Sequence, residues 1–267
     1  VPDVKLVSQL IALSELIPEQ TRSTARILVK QLADQLSKQL APLFRQEVKG
    51  SLQKAMLNRH PSLKEMDWNR TIMANLRHYQ PDYKTIIPEK KIGNKRIRKG
   101  LKKVILVVDQ SASMADSVVY AGIIACILAK LPALDTHLVL FDSEYTDMSD
   151  QLDDPVDLLF GVQLGGGTDI GLALKYAGTL VESPADSLIF LISDLDEGVD
   201  TDEMMAQAFR IVQSGATFTT ILNLSDQGDA NWHATNAKAF RQLGIPCLCS
   251  DPSNFPKVLA ESLLSKR

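Results

Sequence analysis

Five oxygen-bearing side chains, divided among three short loops, carry the chemistry of this chain. Asp109, Ser111 and Ser113 lie in Asp109-Gln110-Ser111-Ala112-Ser113, directly after the apolar run 104–108. Thr168 follows Gly165-Gly166-Gly167, and Asp194 follows Ser193 after the apolar run 188–192. Hydroxyls and carboxylates with no His or Cys among them form a hard-oxygen set, suited to Mg²⁺, Mn²⁺ or Ca²⁺ rather than zinc. Two carboxylates roughly balance a doubly charged ion, and three neutral hydroxyls leave it able to polarise one further oxygen ligand. The glycine run lets backbone approach such a site without Cβ clashes. Taken singly, each residue has an ordinary use. Ser111, Ser113 or Thr168 could cap a helix, and Asp194 could fill a turn. Their joint placement argues for a site.

The elements that must position these loops are legible from Leu101 onward. Short apolar runs predict strands at 103–108, 136–141, 187–193, 217–223 and 245–249. Helical spacing predicts helices at 118–131, 170–182, 202–214, 233–243 and 254–265. Regular alternation of strand and helix predicts an α/β fold with a doubly wound, mostly parallel, Rossmann-like sheet. Each of the three loops then sits at the carboxyl end of a strand or opens the next helix, where open α/β sheets bind ligands. A short strand at 145–148 would add an antiparallel edge, and 152–162 a short helix. Upstream, helices are predicted at 4–17 and 21–57. The second has a stripe of Ile27, Leu28, Leu32, Leu36, Leu40, Leu43 and Phe44, and Pro42 should kink or divide it. Asp67 should cap a helix ending near Tyr79. Residues 90–103 form a basic stretch read as a hairpin or exposed linker, with Gly93-Asn94 as its turn. The domain organisation expected is a basic helical region with linker at 1–100, followed by a metal-binding domain at 101–267.

The Asp-x-Ser-x-Ser loop, the distant Thr and the further Asp resemble the metal-ion-dependent adhesion site (MIDAS) of von Willebrand factor A (VWA) domains. The segments Thr136-His137-Leu138-Val139-Leu140-Phe141-Asp142 and Leu164-Gly165-Gly166-Gly167-Thr168 resemble the bacterial CoxE-like group, and within it the YehP-like proteins. Asp67-Trp68-Asn69-Arg70-Thr71-Ile72-Met73-Ala74-Asn75-Leu76 extends the likeness upstream. The resemblance implies that Ser111 and Ser113 bind the metal through their hydroxyls. Thr168 would do so when ligand is bound, and Asp109 and Asp194 directly or through water. It also implies an open coordination position for an acidic group of a partner. Members of the group often act with a MoxR-type AAA+ ATPase, so that ATPase or its client is the expected partner.

Charge is unevenly divided. Residues 1–100 carry 19 Lys+Arg and 9 Asp+Glu, a balance of +10, and residues 101–267 carry 10 and 23, a balance of −13. Such a division suggests an arm for something acidic, which could be the chain's own second half, a protein, or, as the weakest reading, nucleic acid. No run of 18 apolar residues is present, so no membrane span is expected. No signal peptide is visible. Three cysteines make no disulfide framework, and Cys126, Cys247 and Cys249 read as reduced core thiols of a cytoplasmic protein.

Asp142, Asp196 and Glu197 either tune a metal, hold a second ion, repel wrong partners or are solvated. Asp116 reads as a cap, His137 as a structural histidine, and Trp232 as core or contact. The function expected is a non-enzymatic, metal-dependent protein-binding module. A metal-dependent hydrolase or phosphoryl-transfer enzyme is the first alternative, though no nucleophile or Walker A motif is present. An RNA-binding VWA protein, using the basic helices, is the second.

Overall fold

The computed structural model describes residues 3–13, 19–58, 61–63, 65–94, 102–162, 165–224 and 232–264. The chain opens with helices α1 (Val4–Ala12) and α2 (Glu19–Met56). A small segment follows, made of β1 (Leu57–Asn58), α3 (Trp68–Ala74), β2 (Tyr79–Gln80), β3 (Thr85–Ile86) and β4 (Gly93–Asn94). The larger body contains β5 (Lys102–Asp109), α4 (Ala115–Ala129), β6 (Leu134–Phe141), β7 (Tyr145–Asp147), α5 (Pro155–Phe160) and α6 (Ile170–Thr179). It ends with β8 (Ser187–Ile192), α7 (Thr201–Ser214), β9 (Thr217–Leu224), α8 (Ala234–Gln242), β10 (Cys247–Ser250) and α9 (Phe255–Leu264).

One six-stranded sheet runs in the order β10-β9-β8-β5-β6-β7, parallel except for the antiparallel edge strand β7. The side-chain period of two sends alternate residues to opposite faces. Val104, Leu106 and Val108 join the core under α1, α2, α4, α5 and α9, while Ile105 and Val107 join the core under α6, α7 and α8. Both faces are therefore covered, which is why the inner strands read as continuous apolar runs. The fold is the expected doubly wound α/β sheet. Between β5 and β8 the chain reverses its direction of travel across the sheet, and a crevice opens there at the strand ends.

The first core does not stop at position 100. Phe44 of α2 meets Phe255 of α9 edge-on at 6.1 Å, and Phe255 meets Phe190 of β8 at 5.3 Å. Helices α1 and α2 thus pack on the body. The stripe on α2 differs from the expected one. Ile27 and Leu43 are exposed, and Ala25, Val29, Ala33 and Val48 are buried in addition to Leu32, Leu36, Leu40 and Phe44. Nor does Pro42 divide α2. The carbonyl it deprives of a hydrogen bond belongs to Lys38, and both residues are exposed, so water can satisfy that group.

Three further readings change. Gly93 is no hairpin turn but a residue of β4, which pairs with β1; a Cβ there would lie 2.4 Å from the Glu65 carbonyl oxygen. Residues 95–101 of the expected linker lie outside the described residues, as do 14–17 of the first predicted helix. Cys249 is exposed because β10 is an edge strand, whereas Cys126 and Cys247 are buried. The window Ala112–Ala129 has the length and mean hydropathy (1.8) of a membrane span, contrary to the expectation that none would. Its burial, 72% of the window, is that of a central helix packed against the sheet.

Candidate metal centre

The first loop is built from Asp109, the last residue of β5. Its side chain is fully buried. One carboxylate oxygen accepts the Ser111 N–H at 2.9 Å and the other accepts the Ser193 hydroxyl at 2.8 Å. Burial pushes the Asp109 carboxyl above its ordinary value; the bonds from Ser111 and Ser193 pull it down, and the nearby Asp194 charge pushes it up again. Asp109 thus ties the end of β5 to the end of β8 across the crevice. The Ser111 and Ser113 hydroxyls stand 3.2 Å apart, and Ser113 Oγ donates to Asp194 Oδ2 at 2.8 Å.

Asp194 is aimed by its own loop. Leu195 has a left-handed backbone, φ 61°, which costs a residue with a Cβ of order 1–2 kcal/mol. Burial of its side chain, its N–H bond to Ser193 Oγ (3.0 Å) and its carbonyl bond from Asn236 Nδ2 (2.9 Å) hold it there. The Asp194 carbonyl accepts the His233 N–H at 2.8 Å. His233 also caps α8, its Nδ1 accepting from Asn236 N–H at 3.3 Å. Neither His233 nor Asn236 is among the residues that the sequence singles out for the site. The signal that could have found them is an N-cap His beside an Asn, on the helix following the next strand of the sheet.

The second loop lies between the other two. Gly165 N–H donates to the Gln110 carbonyl at 3.1 Å, and the Thr168 carbonyl accepts from Gly198 N–H at 2.9 Å. Gly165 and Gly166 have φ 123° and 100°, and a Cβ on Gly166 would sit 3.1 Å from Asp142 Oδ2. The glycines are required by backbone angle and by this packing against Asp142. Among the described residues the Thr168 hydroxyl makes no hydrogen bond to Ser111, Ser113 or Asp194. The structure therefore gathers the side chains of Asp109, Ser111, Ser113 and Asp194 into one network and brings Thr168 alongside through its backbone.

The surrounding acids have distinct jobs. Glu197 is half-buried, which raises its carboxyl above the ordinary range despite the N–H groups of Val199, Ile170 and Asp200 that it accepts. It clamps the start of α6 to the turn before α7. Asp142 accepts Glu144 N–H at 2.8 Å through its side chain and Asp169 N–H at 2.7 Å through its carbonyl. Asp196 is exposed. Asp116 accepts the Ser8 hydroxyl at 2.7 Å, which fixes α1 beside the first loop. A cavity of about 400 Å³ lies between Lys5, Gln9 and Ala12 of α1 and Ser113 and Asp116. His137 sits 3.4 Å from Asp135, and Trp232 packs on the second core.

The donor chemistry fits a hard divalent cation. Adjacent ligands of an octahedron with bonds of about 2.1 Å stand about 3.0 Å apart. The spacings of 3.2 Å for Ser111–Ser113 and 2.8 Å for Ser113–Asp194 bracket that value.

Comparison with known proteins agrees with this architecture. The family of VWA domain containing CoxE-like proteins matches residues 36–259. The Escherichia coli (strain K12) protein named Uncharacterized protein YehP is 32% identical over 266 residues, covering 99% of this chain and 70% of the relative. Similar solved structures include an aerotolerance-related membrane protein from Bacteroides fragilis, at 14% identity and TM-score 0.47, covering 62% of this chain and 100% of that one. Another is von Willebrand factor type A from Catenulispora acidiphila, at 16% identity and TM-score 0.41, covering 62% and 43%. With its parallel sheet and its three loops at the strand ends, the chain belongs to the family of VWA domain-containing CoxE-like proteins.

Proposed function

We propose that this protein is a non-enzymatic, cytoplasmic, metal-dependent protein-binding module. Asp109, Ser111, Ser113, Thr168 and Asp194 would hold Mg²⁺, or Mn²⁺ or Ca²⁺ in its place. When bound, the ion supplies a positive point that takes a carboxylate oxygen from a partner. Ser111, Ser113 and Asp194 supply oxygens, Asp109 locks the loop that presents the serines, and the glycine loop brings Thr168 to the rim. The family likeness makes a MoxR-type AAA+ ATPase, or its client, the partner to test first.

The observation that supports the reading is the convergence of the Ser111, Ser113 and Asp194 oxygens at ligand-like spacing over the switch point. The hydroxyls of Ser111 and Ser113 face each other and a carboxylate, with no described histidine or lysine bonded to them as a base. We therefore expect phosphatase and phosphodiesterase rates with Mg²⁺ or Mn²⁺ to stay at background.

Ser113→Ala is the cleanest test, because Ser113 is exposed and its loss leaves no buried group unpaired. Asp109→Ala would strand the Ser193 hydroxyl and the Ser111 N–H and disturb folding as well. Calorimetry should show one main Mg²⁺ site that Ser113→Ala weakens. Binding of the partner should fall by about 2–5 kcal/mol in EDTA, since one side of a charged pair is removed, and Ser113→Ala should lower it to the extent that it weakens the metal site. Thr168→Ala should cost less. Undiminished partner affinity in EDTA would sink the reading.

A further inference from the structure

The buried face of α1 is Val4, Val7, Ser8 and Ile11, positions that recur every three or four residues and so share one side of a helix. Val4, Val7 and Ile11 join the first core. Ser8 carries a hydroxyl, which is costly to bury unless it is bonded. A serine inside a helix can satisfy itself on a carbonyl of the preceding turn. The Lys5 carbonyl stands within reach at 3.0 Å, yet Ser8 Oγ comes closer, 2.7 Å, to Asp116 Oδ1. A hydroxyl has one proton, and the bond to a carboxylate is the stronger use of it. Ser8 therefore bonds a residue 108 positions away in preference to its own helix.

Asp116 stands in the first turn of α4, and the turn Ala112–Met114, which carries Ser113, runs into that helix without a break. Asp109 holds this turn upstream through Ser111 N–H, Met114 anchors it in the first core, and Ser8 holds it downstream through Asp116. On the α1 side the cavity of about 400 Å³ takes the place of packed side chains, with Lys5, Gln9 and Ala12 on one wall and Ala112, Ser113 and Asp116 on the other. The Ser8–Asp116 bond thus spans a gap that contact does not fill. We propose that Ser8 is a positioning residue of the metal centre. Through Asp116 it fixes the start of α4, and with it the Ser113 hydroxyl beside Ser111 and Asp194. The docking of α1 and the affinity for the cation are thereby coupled. This role rests on the metal reading above. The coupling is reciprocal by thermodynamic necessity: whatever docked α1 adds to metal affinity, bound metal adds to the docking of α1.

Calorimetry with Mg²⁺ on the intact chain tests this. Ser8→Ala keeps every charge, and the Asp116 carboxylate that it releases is half-buried and within reach of water, so circular dichroism should be unaltered. Its Mg²⁺ affinity should fall about tenfold, the low end for loss of a group that orients a metal ligand. Asp116→Ala removes a charge as well and should lower affinity at least as far; Ser8→Ala added to it should cost nothing more. The reciprocal measurement needs no variant to fold: saturating Mg²⁺ should slow amide hydrogen exchange in α1 of the unaltered chain by a similar factor. An unchanged Mg²⁺ affinity in Ser8→Ala, a further loss when it is added to Asp116→Ala, or α1 exchange indifferent to bound Mg²⁺ would each overturn the proposal and leave the metal reading in place. An unaltered chain that binds no Mg²⁺ would end the metal reading itself, and this role with it.

Discussion

The sheet body and the segment 61–94 bury opposite kinds of side chain. In the body, Phe190, Ile105 and Leu106 are sealed between sheet and helices, and oxygen-bearing groups collect at the strand ends. In the segment, Thr71 and Asn75 are sealed and Trp68, Met73 and Tyr83 are exposed. The body is held by apolar area removed from water, which needs many residues and fixes the fold. The segment is held by a few hydrogen bonds, which specify shape and contribute little net stability. Substitutions should therefore cost most stability in the body, less at the buried polar clamps of the segment, and least at its exposed apolar side chains.

The largest effect belongs to the body. Phe190→Ala removes a fully buried ring packed at 5.3 Å on Phe255, and should cost about 3–5 kcal/mol in urea unfolding. A loss below about 1 kcal/mol would mean that the aromatic row linking α9 to β8 is not part of the cooperative unit.

Asn75→Ala comes next, at about 1–3 kcal/mol, because it leaves the Lys90 N–H and carbonyl without their partner. Hydrogen exchange should speed up around residues 85–94 and leave β5 and β8 unchanged. Equal acceleration in both regions would show that the segment and the body open together.

Met73→Ala should change stability by no more than about 0.5 kcal/mol, since its side chain is mostly in water. A larger loss would show that the exposed face is covered within the same molecule and would remove the contrast.

The finest test is a single titration on the body's surface. Tyr176 donates its hydroxyl to Asp147 at 2.6 Å, and this bond, helped by burial and the carboxylate's charge, pushes the phenol up to about 12. Burial by itself would raise Asp147, but the hydroxyls of Ser149 and Tyr176 hold it below the ordinary carboxylate value. A raised folded-state pKa means that the Tyr176 contribution is complete below pH 10 and is lost as pH rises from there to about 12. The Asp147 contribution has the reverse sense and is lost as pH falls through its lowered value. Ultraviolet titration should find a late-ionising tyrosine that Asp147→Asn returns toward the ordinary value.

The alternation of apolar runs and amphipathic helices was enough to read the doubly wound sheet, because strands covered on both faces must be continuously apolar. The residue types of the candidate site were legible for a similar reason. Oxygen side chains at the ends of β5 and β8 have few uses in common besides a shared ligand. The buried face of α2 was legible only in part: Leu32, Leu36, Leu40 and Phe44 are buried as expected. Ile27 and Leu43 are as apolar as Val29 and Val48, and helical periodicity cannot say which side meets α9. The polar interior of residues 61–94 was equally hidden, since Thr71 and Asn75 look like surface residues until Ile92 and Lys90 come back to meet them.

From the sequence alone came the order of elements, the parallel sheet and the hard-oxygen chemistry of Asp109, Ser111, Ser113, Thr168 and Asp194. All of these follow from local pattern and from what each side chain can bind. Only the tertiary structure placed α1 beside Ser113, set His233 behind Asp194, bent Leu195 to a positive φ and turned Trp68 and Met73 outward. Each of those depends on which distant residues become neighbours, and that is decided when the whole chain finds the packing that covers both faces of the sheet.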